Sequence, residues 1–290
     1  MSKVVFTVAI GAPKYIEQAL GLARSLSFVG DRTPRIVMSD SNSPALHRWF
    51  DQVVPPTANV LTFLQKLEGL NVSDADEILF IDSDSLVFER LDRVWSSCEG
   101  APIAVQGNWV IDGHWYGQLS EILPRLQLSG LPMFNGGMIY YRRCPETVAT
   151  FEELRQVAES YEKTGLDRFR GTVPDEPCLA IAMARTGHYR LLPDTLDLMN
   201  TPVGLVGRLN IDIRRRKCQF IKFNRHGMRL MRPAILHAGK YVLNAIYWKQ
   251  LNLLEKYERY ADLHGFGYMS PSQKLERSVQ RRILKIRGKI

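Results

Sequence analysis

Two aspartates one residue apart, Asp82 and Asp84, stand directly after the unbroken apolar run Ile78-Leu79-Phe80-Ile81. In an extended chain residues i and i+2 project to the same side, so both carboxylates can meet one cation. A hard divalent ion with oxygen ligands, Mg²⁺ or Mn²⁺, would bridge such a pair to a diphosphate and offset charge building on the leaving group. Acidic pairs after strands also occur in plain turns, so the surrounding motifs must decide. Phe134-Asn135-Gly136-Gly137 offers backbone that can approach a ligand closely, with an Asn135 amide able both to donate to and accept from hydroxyls. The same glycines would equally suit a bulge at a strand start. Pro174-Asp175-Glu176 opens a helix, where Asp175 also fits the role of a cap. Ile235-Leu236-His237-Ala238-Gly239-Lys240 places one imidazole at a strand end, and imidazole suits Mn²⁺ better than Mg²⁺.

These residues need elements to hold them. Short apolar runs alternate with helical patterns: Val4 to Ile10, Ile16 to Leu26, Arg35 to Met38, Leu61 to Leu70 and Ile78 to Ile81. That order predicts βαβ units and an α/β fold with a mostly parallel central sheet. Ile78 to Ile81 lacks alternation, as a strand covered on both faces requires, and open sheets of this kind bind ligands beyond the carboxyl ends of their strands. Further strands are expected at Pro102 to Val105 and Phe134 to Tyr141, with loops and a short helix over Gln106 to Leu131 between them. Helices are expected at Pro145 to Thr164, at Asp175 to Thr186 closed by Gly187, and at Leu243 to Leu263.

A hydrophobic share of 45% and a charged share of 23% describe an ordinary globular protein, and 290 residues suffice for one large α/β domain. The opening run Val4 to Ile10 is short, β-branched and followed by Gly11 and Pro13, so it reads as a buried strand rather than a signal peptide. No run approaches the ~18 apolar residues of a membrane span. Cys98, Cys144, Cys178 and Cys218 are widely separated, which suggests neither zinc nor a disulfide framework and fits a cytoplasmic protein with reduced thiols. The net charge of +8 is concentrated at Arg214-Arg215-Arg216-Lys217 and over Lys274 to Lys289, and favours an anionic partner.

Taken in order along the chain, the motifs resemble the retaining glycosyltransferases of the GT-A fold, the family 8 type represented by glycogenin and the bacterial lipopolysaccharide galactosyltransferases. The resemblance runs from about Phe6 to Lys240 and begins with Thr7-Val8-Ala9, Tyr15, Ala19, Leu20, Arg24, Ser25 and Leu26. It implies a donor half over 1–104, an acceptor half over 105–240 and C-terminal helices over 241–290. Ala9 and Tyr15 would then lie at the nucleotide base and Lys66 close to the donor. Asn135, Gly136 and Gly137 stand where the family has a Phe-Asn-Ser-Gly segment at the donor sugar. Leu192-Pro193 and Asn200 match a downstream Leu-Pro and Asn, and His237 would complete a metal site with Asp82 and Asp84. Glu176 occupies the place of the family's glutamine beside Asp175, which opens a covalent route as well as internal return. Two further departures are a family ending compressed to His237-Ala238-Gly239-Lys240, and Gln106 and Asn108 where the family often offers an acid. Asp112 is the available substitute.

The activity implied is metal-dependent transfer of a hexose from a nucleotide-diphosphate sugar, UDP-glucose or UDP-galactose first, to a glycan or lipid-linked acceptor. Trp109, Asp112, His114, Trp115 and Tyr116 have the mixture of a carbohydrate platform, and equally of a packed loop. A sugar-nucleotide pyrophosphorylase would need a longer glycine-rich loop than Gly11-Ala12-Pro13-Lys14, and no nucleic-acid-binding module is recognisable. A basic peripheral membrane protein without catalysis is the other alternative. After Ser270-Pro271, Leu275, Val279, Ile283, Ile286 and Ile290 recur at helical spacing among basic residues, the composition of a helix lying on an anionic bilayer or packing its stripe on protein.

Overall fold

The computed structural model describes residues 1–202, 206–224, 227–239 and 244–263. Lys240 and the basic stripe after Ser270 lie outside the described residues. The strands are β1 (Lys3–Ala9), β2 (Arg35–Ser39), β3 (Gln52–Val54), β4 (Glu77–Ile81), β5 (Ser85–Val87), β6 (Ile103–Val110), β7 (Leu131–Arg142), β8 (Arg190–Pro193), β9 (Met199–Asn200), β10 (Val206–Asp212), β11 (Lys217–Asn224), β12 (Gly227–Met231) and β13 (Ile235–His237). The helices are α1 (Pro13–Val29), α2 (Pro44–Trp49), α3 (Gly69–Val72), α4 (Asp92–Cys98), α5 (Leu119–Leu126), α6 (Pro145–Glu159), α7 (Asp175–Thr186) and α8 (Asn244–Leu263).

The central sheet has the order β3-β2-β1-β4-β7-β6-β8, and every neighbouring pair is parallel except those made by β7. All five residues of β4 are buried. Ile78 and Phe80 enter the core beneath α6 and α7, while Leu79 and Ile81 enter the opposite one with Leu22 and Leu26 of α1. Continuous hydrophobicity in β4 is therefore two alternating faces, each with its own core. Because β7 runs antiparallel, its first residues, not its last, reach the carboxyl ends of the parallel strands. Ile81 pairs with Met138, and the Asp82 N–H donates to the Gly137 carbonyl at 3.0 Å.

α7 spans the expected residues and ends at Gly187, whose φ of 70° is the left-handed geometry a glycine supplies at least cost. The Leu61 to Leu70 pattern resolves into a 3-10 turn at Thr62–Leu67 followed by α3, and Pro145 to Thr164 into α6 plus a 3-10 turn at Tyr161–Thr164. β6 continues to Val110, past the expected end at Val105, because β7 keeps pairing with it after a bulge. A Cβ on Gly107 would lie 2.1 Å from the Met133 carbonyl, so only glycine allows the two strands to approach there.

Two smaller sheets complete the frame. In β5-β13-β9, His237 pairs with Ser85 and Leu236 with Asn200. The antiparallel sheet β10-β11-β12, over a region read from sequence only as a basic cluster, packs Cys218, Phe220 and Met231 against Tyr247, Leu251 and Leu254 of α8. α8 is held at both ends: the Gln250 side chain accepts from Ile213 N–H and donates to the Ile211 carbonyl, while Glu258 accepts from Arg24 at 2.6 Å and from the Trp49 indole at 3.1 Å. Among the described residues no helix is long and apolar enough to cross a membrane, and the four cysteines are free.

Candidate active site

Beyond the carboxyl end of β4 the chain turns sharply, with the Ser85 N–H donating to the Asp82 carbonyl at 3.0 Å. β5 then leads away and pairs with β13, so His237 arrives beside the turn. The Ala238 N–H donates to the Asp84 carbonyl, fixing that approach. The His237 Nε2 lies 3.2 Å from Asp84 Oδ1 and 3.5 Å from Asp82 Oδ2, and one ligand atom from each of the three residues falls within 4.8 Å of the others. Neighbouring ligands on an octahedral ion of ~2.1 Å bond length stand about 3 Å apart, so these spacings suit one face of such a shell. The donor set of two carboxylates and an imidazole fits Mn²⁺ or Mg²⁺, as expected.

His237 is oriented from behind. Its Nδ1 lies 3.0 Å from Thr201 Oγ1, which also accepts from Asn135 Nδ2 at 3.3 Å. Thr201 drew no attention in the sequence; its signal is only its position after Asn200, just beyond the strand that pairs with β13. Burial would lower the imidazole pKa, but the Asp84 charge and hydrogen bond, with Asp82, raise it to about 9. Burial alone would raise both aspartyl carboxyls. At Asp84 the imidazole reverses this and the pKa falls, while at Asp82 burial prevails over Lys66 and His237 and the pKa stays raised.

A second group lies alongside. Lys66 is buried, with Nζ 2.9 Å from Asp175 Oδ2, 3.5 Å from Asp82 Oδ1 and 3.3 Å from the Gly136 carbonyl. Burial would lower its pKa, but the carboxylates more than compensate and keep it charged. Asp175 is thus an ion-pair partner at the start of α7 and not merely a cap. Glu176 Oε1 accepts from the Gly136 N–H at 2.7 Å and Oε2 from the Tyr116 hydroxyl at 3.1 Å. Burial, and then the Asp175 charge, push the Glu176 carboxyl up to about 7 against the opposing Gly136 N–H, Lys66 and Tyr116. Four carboxyl groups therefore face one lysine and one imidazole, an excess of negative charge that favours a bound cation.

The glycines are required by contact. A Cβ on Gly136 would lie 2.7 Å from Asp175 Oδ2, and one on Gly137 would lie 2.7 Å from His237 Nδ1. Asn135 turns its Oδ1 back to the Gly137 N–H at 2.9 Å. Asn200 is buried and its Oδ1 accepts from Lys222 Nζ at 3.0 Å. Ala9 is buried at the end of β1, and its carbonyl accepts from Ser39. Tyr15 is half-buried on α1 with the Lys14 ammonium 5.0 Å from its ring.

Of the aromatic loop, Tyr116 reaches the site, through Glu176, and its ring stands 5.4 Å from that of Trp115. Tyr116 has φ of 53°, a strained left-handed geometry that the loop holds. Trp109, Asp112 and His114 are exposed. Gln106 and Asn108, standing where an acid was sought, both donate to Asp194, at 3.4 and 2.9 Å; Asp194 had no part in the sequence reading.

No protein-family model matches the chain, and no curated protein matches it in sequence. Solved structures do match. The galactosyltransferase LgtC, in complex with donor and acceptor sugar analogues, is 15% identical with a TM-score of 0.56 over 88% of this chain and 95% of that one. An active-site glutamine-to-glutamate mutant of LgtC, 14% identical, gives 0.55 over the same shares. The glycosyltransferase GlyE of Streptococcus pneumoniae TIGR4 is 15% identical, with a TM-score of 0.52 over 94% of this chain and 67% of that one. Likeness at such identities speaks for the backbone, and the chain has the GT-A fold: a mostly parallel central sheet flanked by helices, with its carboxylates at the strand ends.

Proposed function

We propose that the protein is a metal-dependent glycosyltransferase that moves a hexose from a nucleotide-diphosphate sugar, UDP-glucose or UDP-galactose first, to a glycan or lipid-linked glycan with retention of configuration. One observation carries the reading: Asp82, Asp84 and His237 converge within 4.8 Å beside Asp175, Glu176 and the Gly136 backbone. The fold shared with LgtC, a galactosyltransferase crystallised with donor and acceptor sugar analogues, supports it.

In this reading Asp82, Asp84 and His237 hold Mn²⁺ or Mg²⁺, and such an ion supplies Lewis-acid stabilisation of the departing diphosphate. Lys66 keeps Asp82 and Asp175 in place and adds positive charge near the donor. Asn135, Gly136 and Gly137 border the sugar, Ala9 and Tyr15 the base, and Lys240 the phosphates. Retention then proceeds either by internal return on one face or by a covalent route in which the Glu176 carboxylate would attack the anomeric carbon as the bond to the diphosphate oxygen breaks, and an acceptor hydroxyl, giving its proton to the departed diphosphate, would displace the carboxylate. Residues 1–104 form the donor half and 105–240 the acceptor half, with Trp109, Asp112, His114 and Trp115 toward the acceptor. The enzyme works in the cytoplasm.

Screening nucleotide sugars for hydrolysis tests this without an acceptor. The expected result is release of free hexose that needs Mn²⁺ or Mg²⁺ and is lost in excess chelator and in Asp84→Ala. Full turnover under either condition overturns the metal role. Proton coupling constants of the product read the anomer: inversion excludes retention, and full activity of Glu176→Gln excludes only the covalent route.

A further inference from the structure

In the β10-β11-β12 sheet the two faces have opposite destinies. Cys218, Phe220 and Met231 turn inward to the α8 core. Alternation then forces Ile221 and Phe223 of β11, and Leu230 and Met228 opposite them, to the other face. Phe223 is 45% exposed, Met228 67% and Leu230 47%. Three of the eight large apolar side chains that stand exposed in the described structure thus share one face of two adjacent strands. Single exposed hydrophobics are ordinary, but a cross-strand cluster on an outer sheet face calls for a partner.

Charge identifies the partner. Residues 206–232 contain nine lysines and arginines against one acid, Asp212, an excess as large as the +8 of the whole chain. Some of it is spent inward, for Lys222 donates to Asn200 and Arg229 pairs with Asp197 at 3.3 Å. Arg216 also points inward and donates to the Phe28 carbonyl. Four others lie along the sheet from the apolar cluster: Lys217 stands on the same face, opposite Asp212; Arg214 and Arg215, both paired with Asp212, have side chains 50% and 80% exposed in the β10–β11 turn; and Arg232 is exposed just beyond β12. An apolar patch continued by basic residues along one sheet matches hydrocarbon beneath an anionic headgroup layer. A phosphodiester chain would use the charges and leave Phe223, Met228 and Leu230 in water.

We infer that the outer face of the β10-β11-β12 sheet is a docking surface for an anionic lipid bilayer. It acts whatever sugar the enzyme transfers. Its inner face reaches β9 through Lys222 and Asn200, and β9 pairs with the His237 strand, so the docked sheet is tied to the candidate active site.

The test is sedimentation of the full-length chain with phosphatidylcholine vesicles, with and without phosphatidylglycerol. Binding is expected only with the anionic lipid, and it weakens as salt rises. The variant Phe223→Ser/Met228→Ser/Leu230→Ser, confirmed as folded by circular dichroism, is expected to partition at least about tenfold more weakly, because its apolar contact area is gone. Arg214→Gln/Arg215→Gln/Lys217→Gln should weaken binding comparably, with donor hydrolysis in solution unchanged in both. A full-length variant with Lys274, Arg277, Arg281 and Arg282 changed to Gln reports the tail. The inference is overturned if the serine variant binds like the parent or only the tail variant loses binding. Equal binding to neutral vesicles, absence of binding, or a parent dimer that the serine variant splits without change in vesicle affinity also overturns it, the last assigning the face to a second copy.

Discussion

Replacing Glu176 with glutamine should stabilise the protein in a strongly pH-dependent way. Burial first, and the Asp175 charge next, push the carboxyl up to about 7 in the fold, against 4.5 for a free glutamate side chain. An acid whose folded pKa is raised contributes stability that is complete below the unfolded value and is lost as pH climbs through the folded one. The parent therefore loses stability between about pH 4.5 and pH 7, and the loss is complete above that. At ~1.4 kcal/mol per pH unit of separation, its ceiling is about 3 kcal/mol. Glutamine keeps an oxygen for the Gly136 N–H but turns an NH₂ toward the Tyr116 hydroxyl, which must rotate to accept, at a cost of about 1 kcal/mol. Glu176→Gln should thus match the parent near pH 5 and exceed it by about 2 kcal/mol near pH 8.5. Urea denaturation of both proteins at the two pH values, in chelator so that no metal contributes, measures the difference. A stability difference that is equal at both pH values, or larger at the acidic one, refutes the reasoning.

Three other outcomes follow from contacts already described. Gly137→Ala places a methyl 2.7 Å from His237 Nδ1 and 2.8 Å from its Cγ, so the ring must move and calorimetric Mn²⁺ affinity should fall at least about tenfold in a folded protein. Unchanged affinity would remove His237 from the metal site. Thr201→Val deprives the His237 Nδ1 of its hydrogen-bond partner and should weaken the same affinity by about 10- to 100-fold; a change under twofold would make Thr201 mere packing. Lys66→Met leaves the buried Asp175 without its countercharge and Asp82 with His237 alone, and should cost about 3–5 kcal/mol of stability at pH 8 by urea denaturation. A loss below about 1 kcal/mol would show that this charge cluster is open to water.

What the chain announced by itself was local. Ile78 to Ile81 is apolar at every position because β4 serves two cores, and that alone implies a central strand with ligands at its carboxyl end. Asp82 and Asp84 follow directly, so their shared direction needs no tertiary information. α7 was legible from Pro174 to Gly187 because its start and stop are backbone requirements of single residues. The basic excess of 206–232 was visible too, but not the sheet that bears it: β10 to β12 bury one face each, and charges interrupt their alternation. The resemblance set His237 beside Asp82 and Asp84, but the physical cause is tertiary: the pairing of β13 with β5 brings His237, more than 150 residues from Asp84, to 3.2 Å from it. The fold alone also set Thr201 behind the imidazole, Tyr116 on Glu176 and Lys66 between two aspartates. These contacts arise from strand register and from a loop folding across the site, and neither leaves a periodic trace in the sequence around the residues that meet.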